Sequence, residues 1–124
     1  VDVERLLVSW LGSALNCRVL TDLPANLVNQ IPLLQIARYG GGDAAPGLDE
    51  VLLDVDAYGP DRASAVALAE QARYQLRFVL AGTQIDGAVF TRVDTVEAPN
   101  FRPYDNTSLR RFGASYRLYV HIVS

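Results

Sequence analysis

Lysine is absent from this 124-residue chain, and all eleven basic side chains are arginine. Against fourteen acids they leave a net charge of −3, which excludes a general affinity for nucleic acid. A single cysteine, Cys17, excludes an internal disulfide and a cysteine-based zinc site, and it fits a reducing compartment. The single histidine, His121, has no second imidazole with which to complete a metal site. Apolar runs stay far short of the ~20 residues that cross a bilayer. No stretch has the charged, apolar and small-residue order of a signal peptide. The expectation is a soluble protein of the cytoplasm with no membrane partner.

Catalytic patterns are missing as well. Ser9, Ser13, Ser64 and Ser115 lie in no nucleophile elbow, and Gly40-Gly41-Gly42 lacks the Gly-Lys-Ser/Thr ending of a phosphate loop. No catalytic, metal or cofactor-binding residues are therefore assigned, and no cofactor is expected.

Half of the residues are apolar, enough for one core in one domain spanning 1–124. Val3, Leu6, Leu7, Trp10, Leu11 and Ala14 recur at helical spacing behind Asp2, a natural N-cap, and Trp10 is expected inside. Short and longer strands follow at Cys17 to Thr21 and Ile31 to Tyr39. Gly40 to Gly47 is rich in Gly and Pro and reads as a hairpin tip, or as a loop that orders against a neighbour. A strand from Leu52 to Tyr58 then meets Gly59-Pro60-Asp61, where Pro suits a helix start and Asp the positive end of its dipole.

The second helix has a core line of Ala65, Leu68, Ala69, Ala72, Leu76 and Val79 and an opposed line of Ala63, Ala67, Tyr74 and Phe78. That second line requires a cover, either the first helix or a neighbouring subunit. Gly82 ends the helix. Ala88 to Val96 alternates as a strand with Val89, Thr91, Val93 and Thr95 on one side. Ala98 to Ser108 is irregular. In the last strand Phe112, Ala114, Tyr116, Leu118, Val120 and Ile122 face one way, with Arg111, Ser115, Arg117, Tyr119 and His121 opposite. The fold class is α+β: order α-β-β-β-α-β-β, a mixed sheet of four to five strands with two helices packed on one face and charge on the other.

Asp54 and Asp56 share a strand face and are the best acids for metal or acid-base chemistry, as in a small ligand-binding or metal-dependent enzyme domain. Cross-strand pairing with Arg92 and Arg117 explains them without chemistry. Aromatic and Arg side chains in segments that periodicity cannot pack are candidates for subunit contacts. These are Tyr39, Gly40, Gly41, Gly42 and Asp43; Tyr74 and Phe78; Phe101, Arg102 and Tyr104; and the basic pair Arg110 and Arg111, expected to meet a neighbouring acid.

Thr21-Asp-Leu-Pro-Ala-Asn26, Asp54-Val-Asp-Ala-Tyr58 before an Ala-rich helix, and Pro103-Tyr-Asp-Asn106 followed by Arg110-Arg-Phe-Gly-Ala-Ser-Tyr-Arg-Leu118 carry a resemblance over nearly the whole chain. In order and spacing they resemble the tail terminator family of long-tailed bacteriophages, the neck and tail-completion proteins of the type found in actinobacterial phages. The resemblance implies a structural, non-enzymatic virion protein at the neck or top of the tail, assembled in the host cytoplasm. It implies a hexameric ring that caps the tail tube, stops its polymerisation and docks the head. Implied partners are further copies of the chain, the major tail tube protein and a head-completion or connector protein, with genomic DNA passing without sequence-specific binding. A connector on the portal side of the neck is the alternative within the same setting.

Overall fold

Two aspartates start the two helices. In the computed structural model, which describes residues 2–122, Asp2 accepts the backbone N–H of Arg5 and Asp61 that of Ser64. Each satisfies a donor that a helix start leaves open. Helix α1 spans Val3–Leu15 and ends at Asn16, whose left-handed φ of 50° closes it. Helix α2 spans Arg62–Tyr74 and runs on as a π-helix through Gln75–Leu80. Pro60 therefore stands just outside the cap.

The π-helix changes which residues face inward. Ala65, Leu68, Ala69, Ala72 and Leu76 are buried as their spacing requires, but Val79 is 40% exposed and Leu80 is fully buried in its place. Hydrogen bonds closing from i to i+5 widen the turn, so the core-facing phase arrives one residue later.

Among the described residues six strands form the sheet, more than the four to five expected, in the order β1-β2-β3-β6-β5-β4. They are β1 Arg18–Leu20, β2 Leu33–Ala45, β3 Leu48–Gly59, β4 Thr83–Ile85, β5 Ala88–Phe101 and β6 Arg110–Ile122. The β1 and β2 pair is parallel and the other neighbours are antiparallel. Strands β3 and β5, joined through α2, share a direction as expected, but β6 lies between them. The unexpected strand is β4, a hairpin partner of β5 across Asp86-Gly87, both at positive φ (45° and 81°). An Asp-Gly pair between apolar residues is a strong two-residue hairpin signal.

The glycine run is strand rather than loop. Strand β2 continues through it, with Gly42 opposite Glu50 and Asp43 opposite Asp49, and leaves Pro46-Gly47 as the turn. Gly41 has a φ of 119°, and the Glu50 carbonyl lies where a Cβ would stand. Glycine there lets the strands close, which is why a segment poor in side chains is still a regular element. Strand β5 likewise runs past Val96 to Phe101 and shortens the irregular insert to 102–109.

Both helices pack on one face of the sheet, as expected. Leu7 and Leu11 of α1 and Leu68 and Ala72 of α2 share a core cluster with Ile36, Val55, Phe90, Tyr116 and Leu118. Trp10 is only partly buried, at the margin of a core whose centre Leu7 and Leu11 fill. On β5 the expected alternation fails at a bulge between Phe90 and Arg92. Phe90 and Val93 point inward and Thr91 is exposed, because one extra residue reverses side-chain parity. Ile122 is exposed beyond Val120, the last buried residue of its strand.

Candidate assembly surfaces

The polar face of the sheet is organised by Arg102. Its Nη1 lies 2.9 Å from Asp56 Oδ1 and 3.6 Å from Asp54 Oδ1, and its Nη2 lies 3.3 Å from Glu97 Oε1. Nη2 also donates to Ser115 Oγ at 3.3 Å, and Ser115 donates to Asp54 at 2.6 Å. Asp54 and Asp56 are thus paired, but with an insert arginine; Arg117 binds Glu50 and Arg92 binds Asp94 instead. Gly113 makes the hub possible, since a Cβ there would strike the Asp56 carboxylate and the Arg102 side chain.

Burial pushes the Asp56 carboxyl above its ordinary value, and the charges of Arg102 and Arg111 oppose that push. Glu97 is held below its ordinary value by hydrogen bonds from Asn100 and then Arg102. Among the described residues no group of His, Cys, Asp and Glu is placed to hold a metal ion. A carboxylate pair closed by a guanidinium offers structure rather than proton transfer. Burial also raises the Cys17 thiol, which favours its protonated form.

A second apolar cluster lies on this polar side and joins the three segments that carry the resemblance. Leu23 and Leu27 come from the first and its 3₁₀ turn Leu27–Asn29, Tyr58 from the second, and Tyr104 and Leu109 from the third. The Tyr58 and Tyr104 rings meet edge to face, 5.5 Å between centroids. Arg111 covers Tyr104 at 5.2 Å and donates to the carbonyls of Arg102 and Pro103. Tyr58 in turn donates to Gln35. The insert is therefore a packed cap on one end of the sheet.

Eleven of the twelve expected interface positions fall in three places. Tyr39 to Asp43 lie on the outer half of β2 and, apart from the half-buried Gly40, are exposed. Tyr74 and Phe78 form a crest on α2 and its π extension, 58% and 68% exposed, with ring centroids 5.5 Å apart. Helix α1 does not cover them. Phe101, Tyr104, Arg110 and Arg111 gather around one groove of about 230 Å³ at the end of the sheet where β6 begins. Arg102 belongs to the internal hub and is only 21% exposed in its side chain. Among the described residues Arg110 meets no acid; it donates to the Thr107 and Leu109 carbonyls. Leu109, the buried floor of the insert, was not expected, and a lone Leu between polar residues offers no periodic signal.

These features define a class: an α+β domain that carries exposed aromatic groups on its helical face and at one end of its sheet. No protein-family model matches the chain, and no curated protein matches it significantly in sequence. Among solved structures, a chain in the virion of a native gene transfer agent particle is similar, with a TM-score of 0.62 and 15% identity. The match covers 94% of this chain and 84% of that one, so the fold is shared through nearly its full length.

Proposed function

We propose that this chain is a structural virion protein that assembles as a ring at the neck, caps the tail tube and offers the surface on which the head docks. The crest of Tyr74 and Phe78 carries the reading. Two aromatic side chains more than half exposed on a helix are costly in an isolated subunit and suit a contact with another one. Support comes also from the fold shared with a virion chain and from the engagement of Asp54 and Asp56 by Arg102. A ring needs a heterologous interface, in which the crest meets a different patch on the next copy. Hexameric closure, contact with the major tail tube protein and with a connector, and passage of DNA without sequence readout complete the proposal.

The test is capping. Purified protein added to growing tail tubes is expected to stop elongation and to appear as a ring at one end in electron micrographs. Binding to portal complexes with no effect on tubes would assign the connector role instead. Binding to neither would refute both.

A further inference from the structure

We propose that the groove at the start of β6 receives the tip of the β2 and β3 hairpin from a second copy, so that copies join head to tail. This rests on the reading that the chain assembles with itself, and it adds a second contact between copies to the one at the crest of Tyr74 and Phe78. The groove has an aromatic floor, Phe101 (47% exposed) and Tyr104, with Arg110 and Arg111 at its rim. Both guanidinium groups donate to backbone carbonyls; among the described residues neither makes a salt bridge, although Arg111 lies over the Tyr104 ring and its charge also acts on Asp56. The groove is therefore apolar below and positive above.

The hairpin tip is its complement. Asp43 and Asp49 stand directly opposite one another on β2 and β3, and no cation among the described residues pairs with either. Like charges opposed across a ladder destabilise the hairpin of an isolated copy. Between them Ala44 and Ala45 end β2 and Pro46-Gly47 makes the turn before the half-buried Leu48, so the exposed tip is small enough for a narrow groove. The tip lies beside His121 and the groove beside Arg110 and Arg111, at opposite ends of β6. Roughly 35 Å of strand separates them, so one subunit cannot satisfy its own tip. An acidic wedge and a basic slot at opposite poles make a heterologous contact, which closes into a ring when the rotation between copies allows.

Charge exchange tests this by sedimentation velocity. Asp49→Arg and Arg110→Glu, each alone, should weaken self-association by about tenfold or more. Mixed in equal amounts the two variants should associate again, because each then finds an opposite charge at both poles. Asp49→Arg should also keep or raise the thermal midpoint, which separates lost association from lost folding. Association unchanged in either variant, or no recovery on mixing, overturns the contact. So does binding of a short single-stranded DNA that Arg110→Glu abolishes, since the slot would then serve phosphate. A wild-type chain that stays monomeric to millimolar concentration also overturns it, while tube capping, scored separately, still decides the ring.

Discussion

Arg102 acts on the fold through the protonation of its partners. A carboxyl whose value is lowered in the fold contributes stability that is present above its unfolded value and is lost as pH falls through the folded one. Glu97 behaves so. A raised carboxyl works in reverse, and Asp56, raised by burial, is relieved by acid. Replacing Arg102 by Leu leaves Asp56 buried without its nearest cation. The destabilisation should then be larger at neutral pH than in acid, because a carboxyl raised above its ordinary value takes up its proton early as pH falls; urea midpoints in the two conditions measure it. An equal loss at both would mean that the side chain acts by packing alone. Gly113→Ala attacks the same hub from below and should cost about 2 kcal/mol, the scale of a broken part-buried polar network. Matching urea curves for Gly113→Ala and wild type would refute the steric argument. Read from the sequence, Asp54 and Asp56 pair with Arg92 and Arg117 on the neighbouring strand faces; the fold pairs them with Arg102 instead. Arg102 lies 46 residues from Asp56 in the chain, in a segment without periodicity, and only the fold of the insert brings it there.

Elements were legible where periodicity or caps marked them. Asp2 and Asp61 set helix starts that the structure retains. The helix expected to stop at Gly82 ends at Leu80 with Ala81 as its cap, and the Gly82 N–H donates to the Phe90 carbonyl of the sheet. The core line of α2 holds as far as Leu76. What followed was hidden because a π-helix and a β-bulge each shift the phase by a residue, and a pattern read at constant period cannot register that. Glycine hid β2 differently: side-chain patterns say nothing about residues without side chains, while the backbone hydrogen bonds that make the strand are common to all residues. Gly41→Ala tests how much this arm depends on its backbone. A Cβ there meets the Glu50 carbonyl at a φ of 119°, so the distal hairpin should lose pairing at a cost of about 1–3 kcal/mol. Hydrogen exchange should quicken from Gly41 to Glu50 and stay unchanged in the core of β3 and β6. Unaltered exchange in the arm would show that the strands can shift to admit a methyl group.

The whole molecule presents its chemistry on the outside: a crest on the helical side, a slot at one end of the sheet and a hairpin tip at the other. Tyr74→Ser with Phe78→Ser should leave the urea midpoint near that of wild type, since these rings contribute little buried area within a subunit. Light scattering should show weakened association, and tubes should continue to elongate. Intact assembly in the double variant would move the subunit contact away from the crest.

Composition and periodicity by themselves established the α+β class, both helices and their shared face, the charged opposite face and, on α2, a second apolar line that only the fold shows to be uncovered by α1. These are local or repeating properties, written in neighbouring residues. The sixth strand, the path of β2 through three glycines, the partner of Asp54 and Asp56, and the meeting of three distant segments around Tyr58 depended on the folded chain. Each joins residues far apart in sequence, and long-range pairing is decided by shape and register, which no local pattern encodes.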